Sequence, residues 1–473
     1  MLKIALPKGR LLGETAALLD QAGWGLRGYH EKARFYRLQS ETFPDLSAKM
    51  FHERDIPIQV AVGNYDLGIC GLDWVEELLT KYPSSSLVKI RNLGYGGGAL
   101  HVIGSSSWEV LPSEEAVRSW GGVVCIASEY PNLAELWALR QRLRQFNTYP
   151  LWGGAEVYPP ESADLALLPG VSEQSLFDYD LVSLDEVFSY SAFLIANSDS
   201  WETKDLSRLL TPLEGVLTSS DRRLPQAKVT RAPLTCKSSV SREASNDIIR
   251  LALPDGHQQQ PTAGLLSKVG IQIDDYPSPA GNRRPEVNLD KVRVKVIRPQ
   301  DMPLQVASGN FDLAITGKDW VRDHLYQFPS SPVAELLDLK FGGVKIVAVV
   351  SKEMKVSDIS GLRQLSEAKL KPLRVASEYV NIADKYARDN HLGMYRIVPT
   401  WGASEAFLPE DADLLIENTQ TGRTLRKHNL KIIDTLGESS ACLIGNTDAS
   451  ISPGKKARIE SIVNTLRTAV GGI

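Results

Sequence analysis

The segment GNYDLGICGLDWVEEL, residues 63–78, decides the fold class of the first half of the chain. Residues 65–71 are mostly apolar and end in a glycine turn, which indicates a buried strand, and a helical pattern follows. The N-terminus has the same order: a strand-like run over residues 2–6, a break at Pro7–Arg10, and a helix predicted from about Leu11 to Ala22. This alternation favours an α/β fold with a parallel or mixed sheet covered by helices.

The same segment returns 246 residues later as GNFDLAITGKDWVRDH, residues 309–324. Two further motifs recur in the same order: ASEY at residues 127–130 and 376–379, and Trp152-Gly153 as Trp401-Gly402. Self-similarity over most of the length is the signature of a repeat. The chain is therefore a tandem duplication of a unit of about 240 residues.

Glycine-rich crossings near residues 94–98 and 341–343 predict two α/β lobes in each copy, with a cleft between the lobes. Short strands near residues 192–195 and 441–444 are predicted to return to the first lobe, which makes that lobe discontinuous. The predicted boundaries are a first copy over 1–217 (lobe I about 1–93 and 188–217, lobe II about 94–187), a linker over 218–247, and a second copy over 248–473 (lobe I about 248–340 and 438–473, lobe II about 341–437).

Composition excludes several classes of function. The 473 residues are 43% hydrophobic and 23% charged with a net charge of −4, which gives no general reason to expect nucleic acid or an anionic membrane as a partner. Four widely spaced cysteines predict neither a zinc site nor a disulfide framework, and the chain shows no signal peptide or membrane-spanning run. We expect a cytoplasmic protein without protein-bound metal.

The segment ENTQTGRTL, residues 417–425, is the main candidate for binding a ligand. It follows an apolar run, and Gly422 is expected to turn backbone N–H groups towards a phosphate while Thr421 and Thr424 add hydroxyl donors. Glu417 is placed to accept hydrogen bonds from ribose hydroxyls. Taken alone, the segment is more typical of a turn that caps a helix starting at Leu425.

Taken together, the motifs resemble the ATP phosphoribosyltransferase family, which catalyses the first step of histidine biosynthesis. The similar segments are LPKGRL at residue 6, DIP at residue 55, ASEYPNL at residue 127, and TGRTL at residue 421. The order and spacing of the family's motifs extend over nearly all of each copy. The resemblance implies two lobes like those of type II periplasmic binding proteins. It also implies a glycosyltransferase that moves phosphoribosyl from phosphoribosyl pyrophosphate to N1 of ATP, with Mg²⁺ carried by the pyrophosphate.

The resemblance assigns roles to individual residues. It implies two catalytic residues, Arg298 and Glu417. The residues expected to bind phosphoribosyl pyrophosphate are Asp413, Glu417, Asn418, Thr419, Thr421, Gly422, Arg423 and Thr424. The residues expected to bind ATP or pyrophosphate are Lys8, Gly9, Arg10, Arg34, Arg37, Gly317, Glu378, Tyr379 and Glu405.

The two copies depart from the family pattern in complementary places. In the first copy, Leu168 stands where Glu417 stands in the second, so the first copy is not expected to bind phosphoribosyl pyrophosphate in the usual way. The second copy has Asp255-Gly256-His257 in place of Lys8-Gly9-Arg10. We therefore expect an internal pseudo-dimer, in which the second copy holds the ribose phosphate and the first supplies cations.

Several readings stay open at this stage. Lys8 and Arg10 are also typical of a solvated turn, Arg34 and Arg37 of surface salt bridges, and Glu378 of a helix cap. The chain could form a homo-oligomer or need a regulatory subunit. Two other functions compete with transfer: a pseudoenzyme or regulatory subunit of such an enzyme, and a small-anion binding or sensing protein, since the same fold serves both.

Overall fold

A computed structural model describes residues 2–30, 36–106, 123–170, 173–218, 247–279, 281–368, 372–447 and 451–471. The described residues form two compact units. The first contains residues 2–150, 165–218 and 400–406, and the second contains residues 151–164, 247–399 and 407–471. Each unit thus includes one short segment from the other copy, which the sequence did not predict. Most of the predicted linker lies outside the described residues.

Each copy contains two sheets, as the α/β fold class requires. The eleven strands of the first copy among the described residues are β1 (Leu2–Lys8), β2 (Arg37–Gln39), β3 (Leu46–His52), β4 (Leu67–Gly71), β5 (Leu87–Asn92), β6 (Gly98–Ser105), β7 (Val124–Ser128), β8 (Phe146–Pro150), β9 (Leu165–Pro169), β10 (Leu181–Tyr190) and β11 (Ala192–Asn197). The ten of the second copy are β12 (Ile249–Pro254), β13 (Val292–Ile297), β14 (Leu313–Gly317), β15 (Val333–Asp338), β16 (Val344–Ser351), β17 (Leu373–Ser377), β18 (Tyr395–Pro399), β19 (Leu414–Thr419), β20 (Leu430–Ser439) and β21 (Ala441–Asn446).

The first sheet of each copy is mixed. Its order is β2-β3-β1-β4-β11-β5 in the first copy and β13-β12-β14-β21-β15 in the second. Strand β1 pairs in parallel with β3 and β4, whereas β11 returns from the far end of the copy and pairs antiparallel with β4 and β5. Strand β21 returns in the same way between β14 and β15. The first lobe is therefore discontinuous in both copies.

The second sheets have matching orders, β10-β6-β9-β7-β8 and β20-β16-β19-β17-β18. In each, a central strand, β9 or β19, pairs in parallel with one neighbour and antiparallel with the other. Residues 414–416 at the start of β19 are buried, which is why they read as an unbroken apolar run. The strand then carries the candidate ligand segment out of the sheet at its C-terminal end.

Helices cover these sheets. In the first copy they are α1 (Leu12–Gln21), α2 (Asp55–Ala61), α3 (Leu72–Lys81), α4 (Pro131–Arg140), α5 (Glu173–Asp178), α6 (Ser198–Thr203) and α7 (Ser207–Thr218). In the second they are α8 (Gln259–Lys268), α9 (Met302–Ala307), α10 (Lys318–Gln327), α11 (Ile359–Ala368), α12 (Val380–Asp389), α13 (Arg423–Lys427) and α14 (Pro453–Gly471). Short 3₁₀ turns lie at Ala155–Val157, Gly256–Gln258 and Ser404–Phe407.

The last helix of each copy packs on the first sheet. Leu206, just before α7, and Leu209 and Leu213 on it join the core built on β1, and Ile462 and Leu466 of α14 join the core built on β12. Burial of these apolar side chains is the main term that stabilises each lobe. In the part of the chain that the structure describes, no helix has the length and hydropathy needed to span a membrane.

Candidate functional site

The candidate ligand segment forms a loop between β19 and α13 in the second unit. Glu417 and Asn418 are half-buried, and Thr421 and Thr424 are exposed, so carboxylate and hydroxyl groups are both open to a ligand. Gly422 has φ +66°, in the left-handed region that favours glycine. The loop therefore has the turn that the sequence predicted.

Two details of this loop differ from the prediction. The helix begins at Arg423 rather than Leu425 and has five residues. The Gly422 N–H donates to the Thr419 hydroxyl at 2.9 Å, so in this structure it closes the turn and does not point to a ligand. The exposed donors of the loop are instead Thr421, Thr424 and Arg423.

A buried tyrosine connects this loop to the first lobe of the same copy. The Tyr379 hydroxyl donates to Asp319 at 2.6 Å and accepts from the Asn418 amide at 2.8 Å. The ring lies 4.3 Å from Trp320, centroid to centroid. Burial and the nearby carboxylates of Asp319 and Glu417 raise the pKa of Tyr379 well above its usual value, so the hydroxyl stays protonated. The neutral Tyr379 hydroxyl thus accepts a hydrogen bond from Asn418, at the edge of the loop, while it donates one to Asp319.

Asp413 is not brought to the loop. It precedes β19, whereas the loop follows the strand, so the two lie at opposite ends of the strand. Its carboxylate accepts from the Arg374 N–H at 2.9 Å and pairs with the Arg374 guanidinium at 3.3 Å. The prediction that it binds phosphoribosyl pyrophosphate is not supported by this position, because the side chain is buried in a structural ion pair.

In the second copy a cation lies beside Asp255, the residue that stands in place of Lys8. Arg298 pairs with Asp255 at 3.2 Å, and Arg283 pairs with the same carboxylate at 3.4 Å. The side chain of Arg298 is 43% exposed and that of Asp255 is 11% exposed. The guanidinium is therefore the charge that a ligand would meet, with the carboxylate behind it.

Lys8, Gly9 and Arg10 line a cleft of about 540 Å³ in the first unit. The Arg10 guanidinium donates to Glu53 at 2.8 Å and lies 3.8 Å from Asp73, and its side chain is 43% exposed. Burial raises the pKa of both carboxyls, and the charge of Arg10 opposes that shift. Lys8 is exposed and reaches the Tyr36 hydroxyl at 3.3 Å.

The corresponding part of the second sheet in the first copy differs from the candidate loop. Leu168 is buried, and Pro169 and Gly170, which line the same cleft, stand where Asn418 and Thr419 stand in the second copy. A buried leucine offers no hydrogen-bond acceptor to ribose hydroxyls. The first cleft therefore keeps cations but lacks an acid at this position.

The remaining predicted residues are distributed over both units. Gly317 precedes α10 in the second unit, where a Cβ would approach the Asp319 carboxylate to 2.1 Å, and Glu378 lies half-buried next to Tyr379. Arg37, exposed on the edge strand β2, and Glu405, in a 3₁₀ turn, belong to the first unit together with Lys8, Gly9 and Arg10. Arg34 lies outside the described residues.

The sequence did not predict which residues hold the two segments that lie in the other copy's unit, residues 151–164 and 400–406. Lys295 donates to the Val157 carbonyl at 2.7 Å and to Glu161 at 2.8 Å, which fixes residues 151–164 in the second unit. In the first unit, the Arg54 guanidinium lies 5.2 Å from the Trp74 ring and 4.2 Å from the Trp401 ring. One sequence signal for the Arg54 contact was available: the second copy has Gln300 at the position of Arg54.

Comparison with known proteins agrees with this architecture. The family model described as "HisG: ATP phosphoribosyltransferase" matches residues 52–215 and 298–468. The ATP phosphoribosyltransferase of Prosthecochloris aestuarii is 31% identical over 227 residues, covering 48% of this chain and 73% of the relative. That of Chlorobaculum parvum is 32% identical over 228 residues, with the same shares.

The family match and these relatives define a glycosyltransferase. The chain belongs to the ATP phosphoribosyltransferase family, and its match in two separate segments agrees with a tandem two-copy arrangement.

Solved structures also match. The ATP phosphoribosyl transferase (HisG:HisZ) complex from Thermotoga maritima aligns at a TM-score of 0.39 and 22% identity, covering 46% of this chain and 100% of that chain. The periplasmic aliphatic sulphonate binding protein SsuA from Escherichia coli aligns at a TM-score of 0.29 and 16% identity, covering 47% of this chain and 72% of that chain.

Proposed function

We propose that the chain transfers phosphoribosyl from phosphoribosyl pyrophosphate to N1 of ATP, with one working site in the second copy. The observation that carries this proposal is the Glu417–Thr424 loop, where a half-buried carboxylate, exposed hydroxyls and Arg423 surround a left-handed glycine. These groups suit ribose hydroxyls and a phosphate. The aligned part of the first copy offers a buried leucine instead.

Transfer through an oxocarbenium-like state needs orientation of the sugar and neutralisation of charge on pyrophosphate. In this proposal Glu417 accepts from the ribose hydroxyls, and Arg298 supplies positive charge from the first lobe of the same copy. Mg²⁺ would be carried by the pyrophosphate without a direct protein ligand, and it would supply positive charge to the leaving group.

The experiment is a direct assay of the purified chain with ATP, phosphoribosyl pyrophosphate and Mg²⁺, following N1-phosphoribosyl-ATP. Glu417→Gln is expected to lower kcat/KM by about 10²-fold or more, because it removes a charge from the reacting centre. Glu438→Gln makes the same chemical change on an exposed residue of β20 and is the matched control. Product only after addition of a partner chain would instead identify a regulatory subunit.

The finer part of the proposal is an internal pseudo-dimer in which Lys8, Gly9 and Arg10 bind phosphate groups of ATP or pyrophosphate. Its support is that Lys8 and Arg10 are exposed at a cleft that also contains Trp401 and Gly402 from the second copy. Lys8→Ala is expected to raise KM for ATP about tenfold, whereas Lys81→Ala, an exposed lysine on α3, is the control. Unchanged turnover in Lys8→Ala would remove this part and leave Arg298 as the cation.

A further inference from the structure

A segment of the first copy lies beside the candidate site of the second. Residues 151–164 belong to the second unit, and the ring of Trp152 in that segment lies 5.8 Å from Trp320, centroid to centroid. Trp320 lies 4.3 Å from Tyr379, and the Tyr379 hydroxyl accepts from Asn418 at 2.8 Å. Three aromatic rings and one hydrogen bond thus connect Trp152 to the loop that carries Glu417.

The backbone of Trp152 is fixed independently of its ring. Its N–H donates to both oxygens of the buried Asp301 carboxylate, at 3.0 and 3.2 Å. Two residues further on, Gly154 has φ +75°, and a Cβ there would lie 3.1 Å from the Arg283 guanidinium carbon. The left-handed backbone favours glycine at this position, and a larger residue would also press on Arg283.

The rest of the segment is anchored by charge. Arg283 lies 3.6 Å from Glu156, and Lys295, which is buried against the segment, contacts Glu161 at 2.8 Å and the Val157 carbonyl at 2.7 Å. Burial alone would raise the pKa of Glu161, but the charges of Lys295 and Arg284 lower it, which keeps the carboxylate ionised. Because the segment is held at these points, Trp152 has little freedom to move away from Trp320.

The other copy shows that the aromatic contact is not simply what the fold requires. In the first unit, Arg54 lies between Trp74 and Trp401, 5.2 Å from one ring and 4.2 Å from the other. The second copy has Gln300 at the aligned position, and there the two indoles lie against each other. The direct Trp–Trp contact is found in the copy that has the Glu417 loop.

We propose that Trp152, from the first copy, is a positioning residue for phosphoribosyl transfer in the second copy. It supports Trp320, which supports Tyr379, and the Tyr379 hydroxyl sets the position of Asn418 at the edge of the loop. This inference rests on the proposed function, since it assigns the reaction to the second copy. It explains why a first copy without its own acid still matters to the reaction: it supplies part of the wall of the other site.

The test compares three substitutions in the full chain with ATP, phosphoribosyl pyrophosphate and Mg²⁺. Trp152→Leu keeps apolar bulk but removes the ring, and it is expected to raise KM for phosphoribosyl pyrophosphate about tenfold with a smaller change in kcat. Trp152→Phe keeps an aromatic ring and is expected to stay within about threefold of the parent chain. Trp201→Leu, at a tryptophan that is 42% exposed on α6, controls for loss of an indole elsewhere in the first copy.

The outcomes separate this inference from the proposed function. A parent chain that forms no product refutes the proposed function itself. A parent chain that is active, is inactivated by Glu417→Gln, and keeps its KM in Trp152→Leu refutes the positioning role alone. An equal KM increase in Trp152→Phe and Trp152→Leu would also refute it, because the aromatic character of the side chain would then be irrelevant. A larger effect from Trp401→Leu than from Trp152→Leu would place the reaction in the first copy.

Discussion

Replacing Tyr379 by Phe tests whether the second copy is the one that reacts. The change removes one buried hydroxyl and leaves the ring, which lies 4.3 Å from Trp320. The lost hydroxyl donates to the Asp319 carboxylate at 2.6 Å and accepts from Asn418 at 2.8 Å. Because Asp319 keeps the Ser439 hydroxyl as a donor, its charge is not left bare.

The magnitude follows from the hydrogen bonds that are lost. A hydrogen bond to a charged group contributes about 1.5–3 kcal/mol, so Tyr379→Phe is expected to destabilise the folded state by about 2 kcal/mol. For a domain of about 150–250 residues this corresponds to a decrease in Tm of about 4–8 °C. Release of the Asn418 amide should also raise KM for phosphoribosyl pyrophosphate, by about tenfold if the loop loses 1.4 kcal/mol of binding free energy.

The chain provides a matched control. In the first copy, the Tyr130 hydroxyl donates to Asp73 at 2.8 Å and the Tyr130 ring stacks on Trp74 at 4.2 Å, but Pro169 stands where Asn418 would be. Tyr130→Phe should therefore lower Tm by a similar amount and leave KM for phosphoribosyl pyrophosphate unchanged. Both variants are measured by thermal unfolding and by initial rates against phosphoribosyl pyrophosphate.

Two results would refute this reasoning. If Tyr130→Phe raises KM and Tyr379→Phe does not, the reacting loop lies in the first copy, despite its buried leucine. If both variants raise KM equally, the effect comes from general loosening of the lobes, and the link through Asn418 has no separate role.

Three further predictions concern backbone strain, pH and charge. Gly422→Ala is expected to cost about 1 kcal/mol because of its left-handed φ and to raise KM for phosphoribosyl pyrophosphate; Gly309→Ala, with φ +72°, should cost similar stability with no change in KM. Burial lowers the pKa of Lys295 from 10.5 to about 8. Between these two pH values Lys295 is protonated in the unfolded chain and deprotonated in the folded chain. The free energy of unfolding should rise with pH across that window, and Lys295→Met should flatten the rise while Lys268→Met should not. Arg298→Gln should lower kcat about tenfold in the transfer assay, and an unchanged kcat would show that this half-exposed cation does not contact the leaving group.

The duplication and the lobe pattern could be predicted from sequence because they rest on local features. Apolar runs, glycine turns and motif order are short-range, and the return of β11 and β21 to the first sheets followed from two such runs. The loop at Glu417 was predictable for the same reason. Its glycine turn and its hydroxyls lie within eight residues of one another.

What the sequence could not show are contacts between distant residues that have no local signature. The N–H of Trp152 meets a carboxylate 149 positions away, and Lys295 contacts a carbonyl 138 positions away. Asp413 illustrates the opposite case: it is close to the loop in sequence, but it precedes the strand that the loop follows, and Arg374 pairs with its carboxylate. Proximity in sequence does not bring the two together, because a strand separates its ends by about 3.3 Å per residue.

Both copies have an exposed arginine held by a buried carboxylate, although only the second copy has the Glu417 loop. In the first copy, Arg10 is 43% exposed and rests on Glu53, which is 8% exposed. In the second copy, Arg298 is also 43% exposed and rests on Asp255, which is 11% exposed. The arginines stand at different positions, after β1 in one copy and after β13 in the other, yet each is a half-exposed cation held by a buried carboxylate. The second copy, which lacks the Lys-Gly-Arg motif after its first strand, thus has a half-exposed arginine after the neighbouring strand β13. What the first copy places in the second unit is the segment 151–164, which carries Trp152.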